Sequence, residues 1–350
     1  VSLNITPKLM DKTMKLLAVS LLTLAAPLAA LGQAEDAGWI RNTAISPDGK
    51  VIAFTYQGDI FTVPVSGGTA TQITSNPAYD TAPVWSPDGQ SIAFSSDREF
   101  GTFHVYLTSR QGGQARKLTY INGKTQTPVA FLDNETVLYE CGYRPTKESG
   151  IFPGGSFSQV YRIKTNGGRP HLFSAFTMKM PSINRTDGRI LFTDFKGYED
   201  PLRKHHKSPV ARDIWMWTPD GNMGKFAKIT AFEGEDRNAI WLPGEEAFLF
   251  LSERDGNFNV YRATLADPTH PTQLTNFEKH PVRNLSMDNS GNVAFSWNGR
   301  LYYMPKGGEA KQLPVQVIAD NSKQEKLFQT YRTGASEAKL SPNNKEYAFI

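Results

Sequence analysis

The chain has 350 residues, 38 Lys plus Arg against 34 Asp plus Glu, a formal net charge of +4, and a single cysteine. One cysteine excludes an internal disulfide, so stability has to come from packing. The near-balanced charge, with basic residues clustered in one loop only, argues against a nucleic-acid partner.

Residues 1–32 read as a leader outside the fold. Met10-Asp11-Lys12-Thr13-Met14-Lys15 is a short charged start, residues 16–31 are apolar, and Ala30-Leu31-Gly32 is a small-x-small cleavage site. Residues 1–9 look like extra sequence ahead of the true start. The apolar run is shorter than the roughly 20 residues of a membrane span and is broken by Pro27. It therefore predicts a signal peptide and a periplasmic or secreted protein with no membrane span after cleavage. Cleavage would remove three lysines and one aspartate, leaving the mature chain closer to neutral.

Ser46-Pro47-Asp48-Gly49, followed by the apolar run 51–56, returns as Ser86-Pro87-Asp88-Gly89. Degenerate copies start at Leu132, Arg185, Leu242 and Met287, and a clear one at Ser341. A recurring unit of this length marks a propeller or a solenoid, and uneven steps between copies mean loops of variable length on a constant unit. The first unit reads as four strands: residues 42–45, 51–56, 60–65 and 69–74, separated by the Pro-Asp-Gly, Gln57-Gly58-Asp59 and Gly67-Gly68 turns. Pro presets φ and Gly supplies positive φ, so the punctuation predicts an antiparallel meander.

The second half of the unit recurs as faithfully. Its third strand carries an aliphatic-aromatic pair: Ile60-Phe61, Val105-Tyr106, Val160-Tyr161, Ile214-Trp215, Val260-Tyr261 and Leu301-Tyr302. A Gly-Gly turn commonly follows, then a Gln/Lys-Ile/Leu-Thr strand ending at Thr74, Thr119, Thr230 or Thr275. Six such halves are complete. The expected fold is all-β, a six-bladed β-propeller of four-stranded antiparallel blades over 33–313, because such sheets bury both faces only by stacking around an axis. A linker over 314–336 and the first strands of a second propeller over 337–350 complete the expected organisation. With few residues ahead of Trp39 to finish the last blade, the first and sixth blades are expected to meet through side-chain packing rather than an exchanged strand.

Two long excursions interrupt the short loops, at 142–158 and 196–212, and long loops on such a scaffold are where function concentrates. The second holds Arg203-Lys204-His205-His206-Lys207, with Glu199 and Asp200 before it and Arg212-Asp213 at its exit. Adjacent histidines on extended chain point to opposite sides and cations surround them, which disfavours a metal. Two readings remain. Arg203 and Arg212 can pair with Glu199, Asp200 or Asp213 and pin the loop. Alternatively, Arg203, Lys204, His205, His206, Lys207 and Arg212 can bind peptide carboxylates.

No catalytic residue is identified. Gly154-Gly155-Ser156-Phe157-Ser158 fails the G-x-S-x-G pattern at its last position, and His104, His171, His270 and His280 lack a recurring acid or serine partner. The hairpin 252–257 could suggest calcium, yet Ser96-Asp97-Arg98-Glu99 fills the same place in another repeat, so turn geometry accounts for it. Cys141 reads as a buried small residue. No cofactor or metal is called for.

The S-P-D-G turns and Q-L-T strands resemble the propeller repeats shared by TolB, the prolyl-oligopeptidase relatives and the tricorn-type serine peptidases. Only residues 33–38 separate the leader from the first blade, unlike the α/β domain that precedes a TolB propeller. The stretch 197–215 is similar to a signature of the amino-terminal tricorn propeller, as is the order of six blades followed by a fresh repeat. That resemblance implies a non-catalytic propeller of a secreted serine peptidase, gating peptides or unfolded polypeptide for a catalytic domain further along the same polypeptide. A homo-oligomer is compatible with it. A free-standing periplasmic protein-binding propeller of TolB type is the alternative.

Overall fold

The computed structural model describes residues 35–99, 101–121, 124–142, 158–197, 208–221, 224–318 and 337–348. The described residues form strands and turns, with no helix among them. Six four-stranded antiparallel sheets follow one another along the chain. Blade 1 is Arg41–Ile45, Val51–Tyr56, Asp59–Pro64 and Thr71–Gln72. Blade 2 is Asp80–Trp85, Ser91–Ser96, His104–Ser109 and Gly112–Lys117. Blade 3 is Gln126–Asp133, Thr136–Cys141, Gln159–Lys164 and His171–Ser174. Blade 4 is Lys179–Ile183, Ile190–Thr193, Ile214–Thr218 and Lys225–Lys228. Blade 5 is Asp236–Trp241, Ala247–Ser252, Asn259–Thr264 and Thr272–Gln273. Blade 6 is Arg283–Met287, Val293–Trp297, Arg300–Met304 and Lys311–Gln312. The first strand of each blade is innermost. These six strands neighbour one another in a ring, with that of blade 6 beside that of blade 1.

The repeat's residues have specific jobs. In the Ser-Pro-Asp-Gly turn, Ser46 Oγ donates to Asp48 Oδ1 (2.6 Å), Lys50 N donates to the same oxygen (3.1 Å), and Val51 N donates to Ser46 Oγ (3.1 Å). Ser86, Asp88, Gln90 and Ser91 repeat this network at 2.6, 3.0 and 2.9 Å. The turn closes on Gly49 and Gly89 at φ of 66° and 67°, where glycine is unstrained. The threonine two residues past the fourth strand is equally specific. Its hydroxyl accepts from the first residue of the aliphatic-aromatic pair, at 2.9 Å for Ile60 N to Thr74, 2.9 Å for Val105 N to Thr119, 3.0 Å for Ile214 N to Thr230 and 2.9 Å for Val260 N to Thr275.

Successive strand residues face opposite sides of a sheet, so the aliphatic and aromatic partners serve the two faces of a blade. The aliphatic members are all buried. The aromatic members pack against second-strand rings, with centroids 6.0 Å apart for Phe54 and Phe61, 5.9 Å for Phe94 and Tyr106, 5.8 Å for Tyr139 and Tyr161 and 5.6 Å for Phe295 and Tyr302. Such pairs contribute about 0.5–1.5 kcal/mol each beyond their buried area. Cys141 is buried at the end of its strand within an apolar cluster of blades 2 and 3.

Closure differs from the packing expected. Among the described residues no strand is exchanged between blades 1 and 6, but a hydrogen-bonded clasp joins them. Val315–Val317 lies between Glu35–Asp36, to which it is antiparallel, and Gly68–Thr69, to which it is parallel. Ala37 N donates to Val315 O (3.1 Å), Gly68 N to Pro314 O (2.8 Å) and Ala70 N to Gln316 O (2.8 Å). The physical reason is that the last turn of blade 1 presents backbone donors that side-chain packing cannot satisfy. The clasp occupies the start of the stretch read as a linker, and the compact unit runs through Val317.

Within a second unit, Lys339–Leu340 pairs with Tyr347–Ala348. Its Ser341-Pro342-Asn343-Asn344 turn repeats the blade network. Ser341 Oγ donates to Asn343 Oδ1 (2.6 Å), and Lys345 N and Glu346 N donate at 3.1 Å to Asn343 Oδ1 and Ser341 Oγ. Asn344 takes the left-handed place of glycine at φ 59°.

Candidate functional site: an arginine-lined channel mouth

Every innermost strand breaks its ladder with a register shift, between Arg41 and Ala44, Thr81 and Val84, Pro128 and Ala130, Lys179 and Ser182, Arg237 and Ile240, and Arg283 and Ser286. At five of the six, a residue in the shift is left-handed: Asn42 (50°), Ala82 (53°), Met180 (49°), Asn238 (53°) and Asn284 (55°). Such a bulge bends the strand and re-aims its side chains, and asparagine tolerates the conformation better than most residues. The asparagines also tie blades together. Asn42 Nδ2 donates to Thr81 Oγ1 (2.7 Å), Asn238 Nδ2 donates to Leu285 O (3.1 Å), and Leu285 N donates back to Asn238 Oδ1 (2.9 Å).

Two cavities meet at these bulges. One, of about 860 Å³, is an axial channel lined by the innermost strands of all six blades. The other, of about 710 Å³, is a mouth at the entry ends of those strands in blades 1, 4, 5 and 6. Asn42, Met180, Asn238 and Asn284 line both. The mouth is lined by Arg41, Arg212, Arg237, Arg283 and Arg300 together with His280, and among the described residues no Asp or Glu lines it.

Each arginine is placed by a local device. Arg41, Arg237 and Arg283 immediately precede a left-handed asparagine, so the bulge positions all three. Arg300 follows the Asn298-Gly299 hairpin turn, whose φ values of 49° and 71° suit the twist of the flanking strands. A Cβ on Gly299 would sit 2.8 Å from Trp39 N, so the turn packs against the rim of the mouth. Arg212 is held by its backbone, whose carbonyl accepts from Asp236 N of blade 5 at 3.0 Å.

The electrostatics are those of cations forced together. Arg237 is 4% exposed, lies 3.9 Å over the Phe258 ring and donates from Nη1 to Glu235 Oε1 at 3.1 Å. Burial pulls its pKa down to about 10. The neighbouring Arg283 and Arg212 charges push the same way, and Glu235 opposes them. Arg212 is 6% exposed, lies 5.6 Å over Phe195, and its buried Nε has no hydrogen-bond partner among the described residues.

Of the residues singled out in sequence, Arg203, Lys204, His205, His206 and Lys207 lie outside the described residues. Arg212 lines the mouth rather than pinning the excursion through Asp213. The Asp213 carboxylate instead pairs with Lys196 (2.5 Å) and Lys228 (2.8 Å), because adjacent residues of an extended chain project to opposite sides. Sequence reasoning missed Arg41, Arg237, Arg283 and Arg300. A signal for three of them was present: Arg-Asn near the start of the inner strand recurs at 41–42, 237–238 and 283–284.

The remaining candidates are structural. In the hairpin at Ser252–Asn257, Arg254 reaches back to the fully buried Asp236 at 3.2 Å, as Arg98 reaches Asp80 at 2.9 Å in blade 2. His104 is buried beside Gln126 at 3.4 Å, and His270 has an acid partner in Asp267 at 3.1 Å within an exposed turn.

Comparison with known proteins agrees with the fold and names the family. Residues 37–310 match the family described as the tricorn protease N-terminal beta propeller domain. A tricorn protease homolog of Saccharolobus solfataricus is 24% identical over 308 residues, which is 84% of this chain and 26% of that protein. The crystal structure of the tricorn protease superposes with a TM-score of 0.65 at 21% identity, over 79% of this chain and 26% of that one. TolB from Acinetobacter baumannii shares the fold more loosely, with a TM-score of 0.52 at 18% identity over 71% of this chain and 57% of that one. The chain thus spans about a quarter of the length of the two tricorn proteins it matches. With its six blades and the family match extending across nearly all of them, this chain belongs to the tricorn protease N-terminal beta propeller family.

Proposed function

We propose that this chain is the non-catalytic propeller portion of a secreted tricorn-type serine peptidase, through which peptides or unfolded polypeptide pass on their way to or from a catalytic domain of the same polypeptide. The observation that carries the reading is the axial channel, to which all six innermost strands contribute. A rigid ring of this kind excludes folded proteins by size and admits extended chain. The repeated blade turn at Ser341–Asn344 supports the start of a second propeller after the first. The apolar run of residues 16–31 supports export to the periplasm or beyond. Among the described residues no helix is long and apolar enough to cross a membrane.

In this role the propeller supplies binding and selection and leaves bond cleavage to another domain. Fluorogenic peptides provide the test. The chain alone is expected to leave them intact, whereas a longer protein carrying it with a catalytic domain cleaves them. Hydrolysis by the chain alone that survives repurification and follows the protein peak would overturn the reading.

A further inference from the structure

Positive charge concentrates at the channel mouth. Five guanidinium groups and His280 line one cavity of about 710 Å³, and among the described residues no carboxylate lines it. Arg237 finds Glu235 behind it, but Arg212 is buried over Phe195 with an Nε that donates to nothing among the described residues. The buried Arg212 and Arg237 crowd like charges where water is largely withheld, which is unfavourable, and an anionic guest relieves it. The cavity lies within the ~300–1,000 Å³ range of ligand sites.

The arrangement also bears on the form of the guest. One carboxylate has two oxygens and pairs bidentately with one guanidinium fork, or singly with two. Guanidinium groups contributed by blades 1, 4, 5 and 6 around one cavity therefore offer places for more than one carboxylate of a single molecule. The mouth opens into the axial channel through Asn42, Met180, Asn238 and Asn284, which favours an extended chain over a compact ion. Single-stranded nucleic acid is bound on rows of aromatic platforms. Apart from His280, the one aromatic side chain lining this mouth among the described residues is Trp39 on the rim, 75% exposed. Arg41 stands over that ring at 5.7 Å.

We propose that the mouth captures acidic segments of polypeptide, seating two or more Asp or Glu carboxylates among Arg41, Arg212, Arg237, Arg283 and Arg300. The inference rests on the reading of the ring as a peptide passage and narrows it to a preferred cargo. Acidic segments dock at the rim, where Arg41 is exposed, and settle against the buried Arg212 and Arg237 as water is displaced.

The test is fluorescence anisotropy on the 350-residue chain with a labelled, C-terminally amidated oligoglutamate and the matching oligoglutamine. Amidation removes the terminal carboxylate, so side chains alone are read. Oligoglutamate is expected to bind at least about tenfold more tightly, with the difference shrinking as salt is raised. Arg283→Gln and Arg212→Gln should each weaken it by about tenfold while oligoglutamine is unaffected. If either variant fails to fold, Arg41→Glu on the exposed rim substitutes, and it should slow association. Equal affinity for the two peptides, or unchanged oligoglutamate binding in natively folded variants, overturns the proposal. So does an oligothymidylate of equal charge binding more tightly, or inorganic phosphate binding as well as the oligoglutamate. Because the assay reads binding and not passage or hydrolysis, its failure is distinguishable from failure of the channel reading.

Discussion

The clasp that closes the ring can be weakened at one atom. Gly67 sits in the last turn of blade 1 at φ 79°, and a Cβ there would lie 2.6 Å from Pro314 O, the acceptor of the Gly68 N bond. Gly167 occupies the same turn of blade 3 at φ 96°, with nothing within 4 Å of its Cβ position. Gly167→Ala therefore measures the backbone cost alone, about 1–2 kcal/mol for an L-residue held left-handed. Gly67→Ala carries that cost and also displaces the closing strand. Backbone hydrogen bonds from Ala37, Gly68 and Ala70 are among those that hold the strand, and its Val315 and Val317 are buried. At about 1 kcal/mol net for each bond, the second substitution should cost ~2–3 kcal/mol more than the first. For a domain of this size that is ~2–4 °C in melting temperature per kcal/mol. Urea unfolding of both variants, followed by tryptophan fluorescence, supplies the comparison. Equal losses from the two substitutions would refute the claim that the clasp stabilises the ring.

Removing Arg254 by Arg254→Met strands the buried Asp236 carboxylate and should cost about 3–5 kcal/mol in urea unfolding, with Arg98→Met behaving alike through Asp80. Thr119→Val keeps side-chain volume but orphans the buried Val105 N–H, so a loss of about 1–3 kcal/mol is expected in the same assay. Partial burial raises the pKa of Asp48, but hydrogen bonds from Ser46, Arg110 and Lys50 N outweigh it and bring the value to about 2. A depressed carboxylate stabilises the fold above its unfolded pKa and loses that contribution as pH falls through the folded one. Wild type should therefore lose stability relative to Asp48→Asn between about pH 4 and pH 2, and parallel pH profiles would contradict the assignment.

The blades were legible because each has two buried faces and every turn needs particular chemistry. Val105-Tyr106 and its counterparts recur because neighbouring blades cover both sides of the sheet, and Thr119 recurs because a backbone donor needs its hydroxyl. The clasp was not legible, since Val315–Val317 resembles any short apolar segment until the ring brings Gly68 beside it. The mouth was partly legible. Arg-Asn at 41–42, 237–238 and 283–284 lies near the start of the inner strand each time, but blades 2, 3 and 4 lack it, and nothing local reveals that the three arginines converge. The excursion at 196–212 drew attention through its length. Arg212 at its exit belongs to the mouth because the Asp236 N to Arg212 O bond carries blade 4 across to blade 5.

The passage of extended polypeptide through the ring is tested most directly by a thiol inside it. Ala82 lines the axial channel, whereas Lys311 lies exposed on the outer strand of blade 6, and the native Cys141 is buried. The variants Ala82→Cys and Lys311→Cys are each offered an acidic peptide carrying one cysteine as an activated disulfide. Attack by the protein thiolate forms the mixed disulfide and releases the activating thiol. If the peptide enters the channel, the Ala82→Cys variant should couple to it faster than to a small activated disulfide of equal reactivity, and unlabelled oligoglutamate should suppress the coupling. A channel thiol that reacts with the small disulfide but not with the peptide, or peptide coupling that favours the Lys311→Cys variant, would contradict the account.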